Sequence, residues 1–330
     1  MHIEAFSEGK NLDDPEANED QFLVLPGRGY AVIDGVTDRT GHRYDGKLAG
    51  RISSRAVQKA VSAFLLAAGE AVDPVRLAEA AAAAIRAAYE RHDVLEIARA
   101  DPARRFGATL ALAAHCGDRL RFVLIGDSGL RLNGEEVWIN DTGLDLVTSS
   151  LRQEAYRLVG EAGGTPDDKR RIGRACVWHG AARLHPDLKP WIDEAALRTL
   201  YARALERSRA RFPMAPEADI RLLLDGGVMT GQTRFQNNTD SPLSYAVLDG
   251  FDVAHPLVRI VDRPLASIRS IELFTDGYFK PGVTPDIAAW EAAFDEVERL
   301  DPEKIDRYPS VKGTIGRIRA DDRTVVIVRF

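Results

Sequence analysis

Tyr30-Ala31-Val32-Ile33-Asp34-Gly35 decides how the chain is read. Four apolar residues suited to a buried strand run into a carboxylate and a glycine, so the acid stands at a strand end. The pattern returns far along the chain. Ile271-Glu272-Leu273-Phe274 leads into Thr275-Asp276-Gly277, and Asp321-Asp322 comes just before Val325-Val326-Ile327-Val328. Asn18-Glu19-Asp20 in turn precedes the extended run Gln21 to Leu25. Carboxylates converging at strand ends repel one another, and a hard divalent cation cancels that cost. Oxygen donors without neighbouring cysteines favour Mg²⁺ or Mn²⁺ over Zn²⁺.

Working outward, His2 to Ser7, Gln21 to Leu25 and Tyr30 to Asp34 read as antiparallel strands, with Pro26-Gly27-Arg28-Gly29 as a connector. Helices are expected from about Gly50 to Ala68 and from about Pro74 to Arg99, the second with Asp73 as N-cap and Pro74 at its first position. Thr109 to His115, Leu120 to Ile125 and Leu130 to Leu132 resume the strand pattern, the first two joined at Cys116-Gly117-Asp118. Strands, two helices, then strands again do not make the regular alternation of a doubly wound sheet, and they imply a layered α+β architecture. Residues 141–220 turn helical, around Leu146 to Val159 and Ile192 to Arg211. Leu222 to Leu224, Tyr245 to Leu248 and Val258 to Val261 read as short strands, followed by a helix near Pro285 to Leu300. The β-branched run to Phe330 should be buried and lie beside the first strands.

Bulk properties permit an enzyme. The 330 residues, 45% hydrophobic, can bury a sizeable core. A net charge of -6 and a pI near 5.7 argue against a nucleic-acid footprint, which needs a basic surface. No apolar stretch approaches the roughly 20 residues that span a bilayer. Met1 to Lys10 lacks the pattern of a signal peptide, so the expected compartment is cytoplasmic. Cys116 and Cys176 share no metal-binding spacing and read as inert thiols.

The order of the motifs carries more than any one of them. Asn18-Glu19-Asp20, Ala31-Val32-Ile33-Asp34-Gly35, Phe106-Gly107-Ala108-Thr109, Ile125-Gly126-Asp127-Ser128, Phe274-Thr275-Asp276-Gly277 and Asp321-Asp322-Arg323-Thr324 follow one another along the chain. In this order they resemble the metal-dependent protein phosphatases of the type-2C class, over the first 135 residues and again over the last 60. The resemblance implies a four-layer α-β-β-α sandwich of two antiparallel sheets flanked by helix pairs. It implies a single catalytic domain over residues 1–330, with a mostly helical insertion at 141–265 that covers the site entrance and selects the partner. By the same resemblance Asp34 bridges two metal ions and the Gly35 carbonyl coordinates one of them. Asp276 and Asp321 complete the first metal, Glu19 or Asp20 serves the second, and Asp127 helps hold a third. The implied activity is removal of phosphate from phosphoserine or phosphothreonine in proteins, by attack of a water shared between Mg²⁺ or Mn²⁺ ions.

Plainer readings stand beside these. Asp-Gly between extended runs is a hairpin-turn signal, and Asp225-Gly226 and Asp249-Gly250 are further copies outside the motif order. Phe106 to Thr109 and Ser128 read as packing, and Arg170, Arg171 and Arg174 as a solvated helix face. The family's phosphate-clamping arginine is missing before Asn18, with Lys10, Arg39, Arg43 and Lys47 as stand-ins. His42 is either a proton donor to the leaving alkoxide or a partly exposed structural histidine. A small phosphorylated metabolite as substrate, and a non-catalytic phosphoprotein-binding module of the same fold, are the rival functions.

Overall fold

The alternation of side chains along the strands builds the core. In the computed structural model, which describes every residue except 38–40, 140–141, 184–185 and 187–188, the chain forms two compact units. The first is Met1–Asn140, Ala246–Arg299 and Thr314–Phe330; the second is Asp141–Tyr245 with Leu300–Gly313.

In the first unit the order is β1 (His2–Glu8), β2 (Gln21–Leu25), β3 (Gly29–Ile33), the small hairpin β4 (Arg43–Tyr44) and β5 (Lys47–Leu48), α1 (Ala49–Ala68), α2 (Pro74–Arg91), α3 (Leu95–Ala100), β6 (Leu110–Cys116), β7 (Arg119–Ile125), β8 (Gly129–Leu132) and β9 (Glu136–Trp138). The second unit supplies α4 (Gly143–Glu161), α5 (Pro166–His179), α6 (Glu194–Arg211) and α7 (Glu217–Phe235). The chain then gives β10 (Arg259–Pro264), β11 (Ser270–Phe274), α8 (Ile287–Leu300) and β12 (Arg323–Arg329). Two five-stranded sheets result, ordered β1-β12-β11-β8-β9 and β10-β7-β6-β3-β2. Their strand pairs are antiparallel.

Period-two burial sorts each strand between two cores. Tyr30, Val32, Ala111, Ala113, Phe122, Leu273, Val326 and Val328 meet between the sheets. Ala31, Ile33, Leu110, Leu112, Val123 and Ile125 face the other way, onto Val57, Val61 and Leu65 of α1 and Leu77, Ala81 and Ile85 of α2. On the opposite outer face Phe274, Val325 and Ile327 pack against Trp290 and Phe294 of α8. Four layers follow: α1 with α2, sheet, sheet, α8. The terminal strand lies beside the first, with Val325 opposite Phe6. The helix expected over Pro74 to Arg99 breaks at His92–Val94, where Asp93 takes φ of 54°, and resumes as α3.

The second unit is a helical cluster around Leu144, Val147, Leu151, Ile172, Cys176, Leu200, Ile220 and Leu223. Thr165 and Asp168 form a reciprocal capping box that starts α5. Leu222 to Leu224 is not the expected strand. It lies in α7, where Ile220, Leu223 and Leu224 recur at helical spacing on the buried side. Asp225-Gly226 is likewise no hairpin turn, and the chain kinks next to it at Gly227, φ 62°. Tyr245 to Leu248 forms isolated bridges, Gln236 to Tyr245 and Ala108 to Leu248, in place of a strand. Arg170 pairs with Asp167 and Glu303, and Arg171 with Asp168. Of the expected insertion 141–265, residues 246–265 fall in the first unit, where β10 pairs with β7. Among the described residues no helix is long and apolar enough to cross a membrane.

Candidate metal centre

Antiparallel register brings the acids to one end of the first unit. Gln21 at the start of β2 lies opposite Ile33 at the end of β3, and Leu110 opposite Ile125. In the other sheet Phe274 lies opposite Val325. Glu19-Asp20, Asp34 and Asp127 therefore leave one sheet where Asp276 and Asp321-Asp322 leave the other. The two edges meet: Thr275 Oγ1 donates to Asp20 Oδ2 at 2.7 Å, and Lys10 Nζ reaches both Glu19 and Asp321 at 3.2 Å.

Burial and like charge act on this group together. Burial pushes the Asp34 carboxyl well above the usual range, reinforced by Asp276, Asp20, Asp321 and Asp127 in that order. Asp20 is raised to about 8, first by burial, then by Asp322, against the hydroxyls of Thr275 and Thr324. Asp20 Oδ1 is buried without a hydrogen-bond partner. Glu19, fully buried, is raised by burial although Lys10 and Thr37 oppose it. For Lys10 burial works against the charge, yet Asp321, Asp322 and Glu19 raise it far above an ordinary ammonium. Both ends of the Lys10–Glu19 pair thus shift towards the protonated form, which charges the lysine but neutralises the glutamate. Three carboxylates around one ammonium favour the charged lysine.

Backbone contacts set the acids in place. Thr109 N donates to Asp34 O at 2.9 Å, while Gly107 O accepts from Val36 N and from Ser53 Oγ. Phe106 to Thr109 is thus a packing support. A Cβ at Gly35 would lie 2.2 Å from Gly50 O, and one at Gly277 would lie 2.0 Å from Asp322 O. The glycines following Asp34 and Asp276 are therefore demanded by close backbone approach. Ser128 Oγ bonds Thr109 Oγ1 at 2.6 Å, both buried, which makes it structural.

Two residues take roles that sequence reasoning did not assign them. Asp322, 2% exposed, accepts from Lys10 N at 2.6 Å and Glu19 N at 3.1 Å, tying the chain before β2 to the chain before β12. Its only signal was the acidic pair itself. Lys10 gives its ammonium to these acids, so as a phosphate clamp it is already committed. Arg43 is exposed and pairs with Asp14; Lys47 is exposed; Arg39 lies outside the described residues. His42 is exposed, its ring 4.5 Å from Tyr44, which also packs on Phe106 and His92. Asp249 is buried against Arg105, and Asp225 belongs to the second unit.

The donors present fit a hard divalent ion in chemistry: all oxygen, buried at Glu19 and Asp20 and half-buried at Asp34, Asp127, Asp276 and Asp321, and costly to leave mutually repelling. They are gathered more loosely than ligands about one point. Among the described residues no group of three Asp, Glu, His or Cys side chains stands ready to hold an ion.

Two antiparallel sheets flanked by helices, with carboxylates gathered at one end, are the arrangement that the resemblance to the type-2C class implies. The sequence model of the family described as protein phosphatase 2C matches residues 10–141. No curated protein matches the sequence. Among solved structures the chain is similar to the photosystem II phosphatase PBCP, at 13% identity and a TM-score of 0.49, covering 100% of this chain and 98% of that one. It is similar to the Mycobacterium tuberculosis serine/threonine phosphatase PstP/Ppp, at 19% and 0.46, covering 100% and 98%. A structure of the PstP catalytic domain in complex with two manganese ions gives 17% and 0.46, covering 99% and 96%.

Proposed function

We propose that the protein is a Mg²⁺- or Mn²⁺-dependent phosphohydrolase that removes phosphate from serine or threonine side chains of proteins. The observation that carries this reading is the convergence of Asp20, Asp127, Asp276 and Asp321 on Asp34 at one end of two sheets. When bound, the metal supplies charge cancellation for the phosphate dianion and activation of the attacking water.

Asp34, Asp276, Asp321 and the Gly35 carbonyl would hold the first ion. Asp20 or Glu19 would serve a second, and Asp127 a third. Asp322 keeps Glu19 in register through its amide, and Thr275 orients Asp20. Exclusion of water from Asp20 strengthens the charge interactions there. His42 or solvent protonates the leaving alkoxide, because the imidazole is accessible on the segment that follows Asp34. The whole of residues 1–330 acts as one catalytic domain, and residues 141–265 contribute partner selection. The cytoplasm is the proposed compartment.

Asp34→Asn should lower p-nitrophenyl phosphate turnover in Mn²⁺ by about 10³-fold or more. Wild-type turnover in that variant would end the proposal. A second reading, a small phosphorylated metabolite, is favoured by one observation: Lys10, the stand-in nearest the acids, is spent on carboxylates. Phosphopeptides compared with small phosphate esters, both in Mn²⁺, separate the two.

A further inference from the structure

Lys10 sits where a cation is wanted. Its ammonium lies 3.2 Å from Glu19 Oε2, 3.2 Å from Asp321 Oδ1, 3.3 Å from Asp322 Oδ2 and 2.8 Å from Thr37 Oγ1. An ammonium has three hydrogens, and Glu19, Thr37 and Asp321 take all three. None remains to point at a phosphate. Thr37 Oγ1 in turn donates to Glu19 Oε2 at 2.8 Å, and Gly50 N occupies Oε1 at 3.1 Å. Both oxygens of Glu19 are therefore engaged by the chain.

The position is anchored from the backbone. Lys10 N donates to Asp322 Oδ1 at 2.6 Å, and Lys10 O accepts from Arg319 N at 2.8 Å. Gly9, just before it, runs so close to Asn18 that a Cβ would meet Asn18 Cβ at 3.0 Å. A surface lysine chooses among rotamers in water. This one is 16% exposed, held at both backbone groups and surrounded by oxygen.

We propose that Lys10 is a resident cation of the carboxylate cluster, doing on the Glu19 side the charge cancellation of a divalent ion and keeping Glu19 out of metal coordination. The inference rests on the metal-dependent reading of the same site. It narrows that reading: metal binding falls to Asp34, Asp20, Asp127, Asp276 and Asp321. Lys10 acts through the carboxylates and is a positioning residue.

The test is Mn²⁺ stoichiometry, read by calorimetry and by electron paramagnetic resonance of free Mn²⁺, on wild type, Lys10→Met and Lys10→Arg. Lys10→Met, which leaves Glu19, Asp321 and Asp322 without their cation, should bind one further Mn²⁺ per chain. Lys10→Arg keeps the charge and should bind as wild type does. If Lys10→Met fails to fold without metal, millimolar Mn²⁺ in the refolding buffer should restore it, and equal KCl should not. Unchanged stoichiometry in a folded Lys10→Met, or an unfolded one that Mn²⁺ cannot restore, overturns the inference. A wild type that binds no Mn²⁺ and turns over no ester overturns the metal-dependent reading itself, and the two failures are thereby distinct.

Discussion

Replacing Asp20 by Asn should stabilise the metal-free protein at alkaline pH and destabilise its complex with Mn²⁺. Asp20 is buried, and its carboxyl is raised from the usual 3.8 to about 8. A carboxyl whose folded value lies above its unfolded value favours folding most when protonated. That contribution is fully present below about pH 4 and is lost as pH climbs to about 8. At about 1.4 kcal/mol per pH unit the rise bounds the cost at roughly 6 kcal/mol. Relaxation and water entry leave about half of it, roughly 3 kcal/mol. The Asn carbonyl can still accept from Thr275 Oγ1, and its NH₂ would take the place of Oδ1, which has no hydrogen-bond partner. Thermal melts in EDTA from pH 5 to 9 provide the assay. At roughly 2 to 4 °C per kcal/mol for a unit of this size, the variant should melt about 6 to 12 °C higher at pH 9, with the gap closing towards pH 5. Adding Mn²⁺ should reverse the order at pH 8, because the wild-type carboxylate gains a partner that the amide does not. A variant less stable than wild type in EDTA at pH 9, or a gap that ignores pH, would refute the claim that Asp20 stands among uncompensated charges.

Other parts of the molecule make sharp predictions of their own. Gly277→Ala would put a Cβ 2.0 Å from Asp322 O, so Asp276 and the Asp321-Asp322 segment must move apart; Mn²⁺ affinity measured by calorimetry should fall at least about tenfold, through overpacking of a close backbone approach. Glu272 is fully buried between the sheets and α8, accepting from Arg131 Nε at 2.9 Å and Trp290 Nε1 at 2.8 Å. Glu272→Ala strands the Arg131 guanidinium and should cost about 3 to 5 kcal/mol in urea unfolding, and a loss under 1 kcal/mol would count against that pairing.

Strand ends were the legible part of this sequence. Tyr30 to Ile33 and Val325 to Val328 are short, apolar and β-branched or aromatic, and such runs seldom do anything but enter a sheet. An acid placed directly after or before one inherits its position from the strand, so Asp34, Asp276 and Asp321 could be located without coordinates. Leu222 to Leu224 failed for the complementary reason. A short apolar run carries no periodicity of its own, and only Ile220, buried with Leu223 and Leu224, reveals the turn of the helix. The pairing of Leu300–Gly313 with the second unit was equally hidden, because it depends on Arg152 donating to the carbonyls of Lys304 and Ser310, contacts between residues some 150 positions apart.

The site itself divides along the same line. Which acids converge follows from strand order; how their charge is balanced does not. In the sequence Lys10 is a basic residue in an ordinary polar stretch, with Asn18 eight residues on, and its neighbourhood supplies no reason to set it apart from Arg43 or Lys47. Only the folded chain shows that the segment before β2 crosses the start of β12, where Asp322 accepts the amides of both Lys10 and Glu19. That crossing turns an anonymous lysine into a buried ammonium with three carboxylates around it. A cation fixed by the backbone cannot leave when substrate arrives. In the proposed metal-dependent reading, charge cancellation on the Glu19 side is thus permanent, while on the Asp34 side it would be imported, and a phosphate dianion would be drawn to the side where imported charge exceeds what the carboxylates consume.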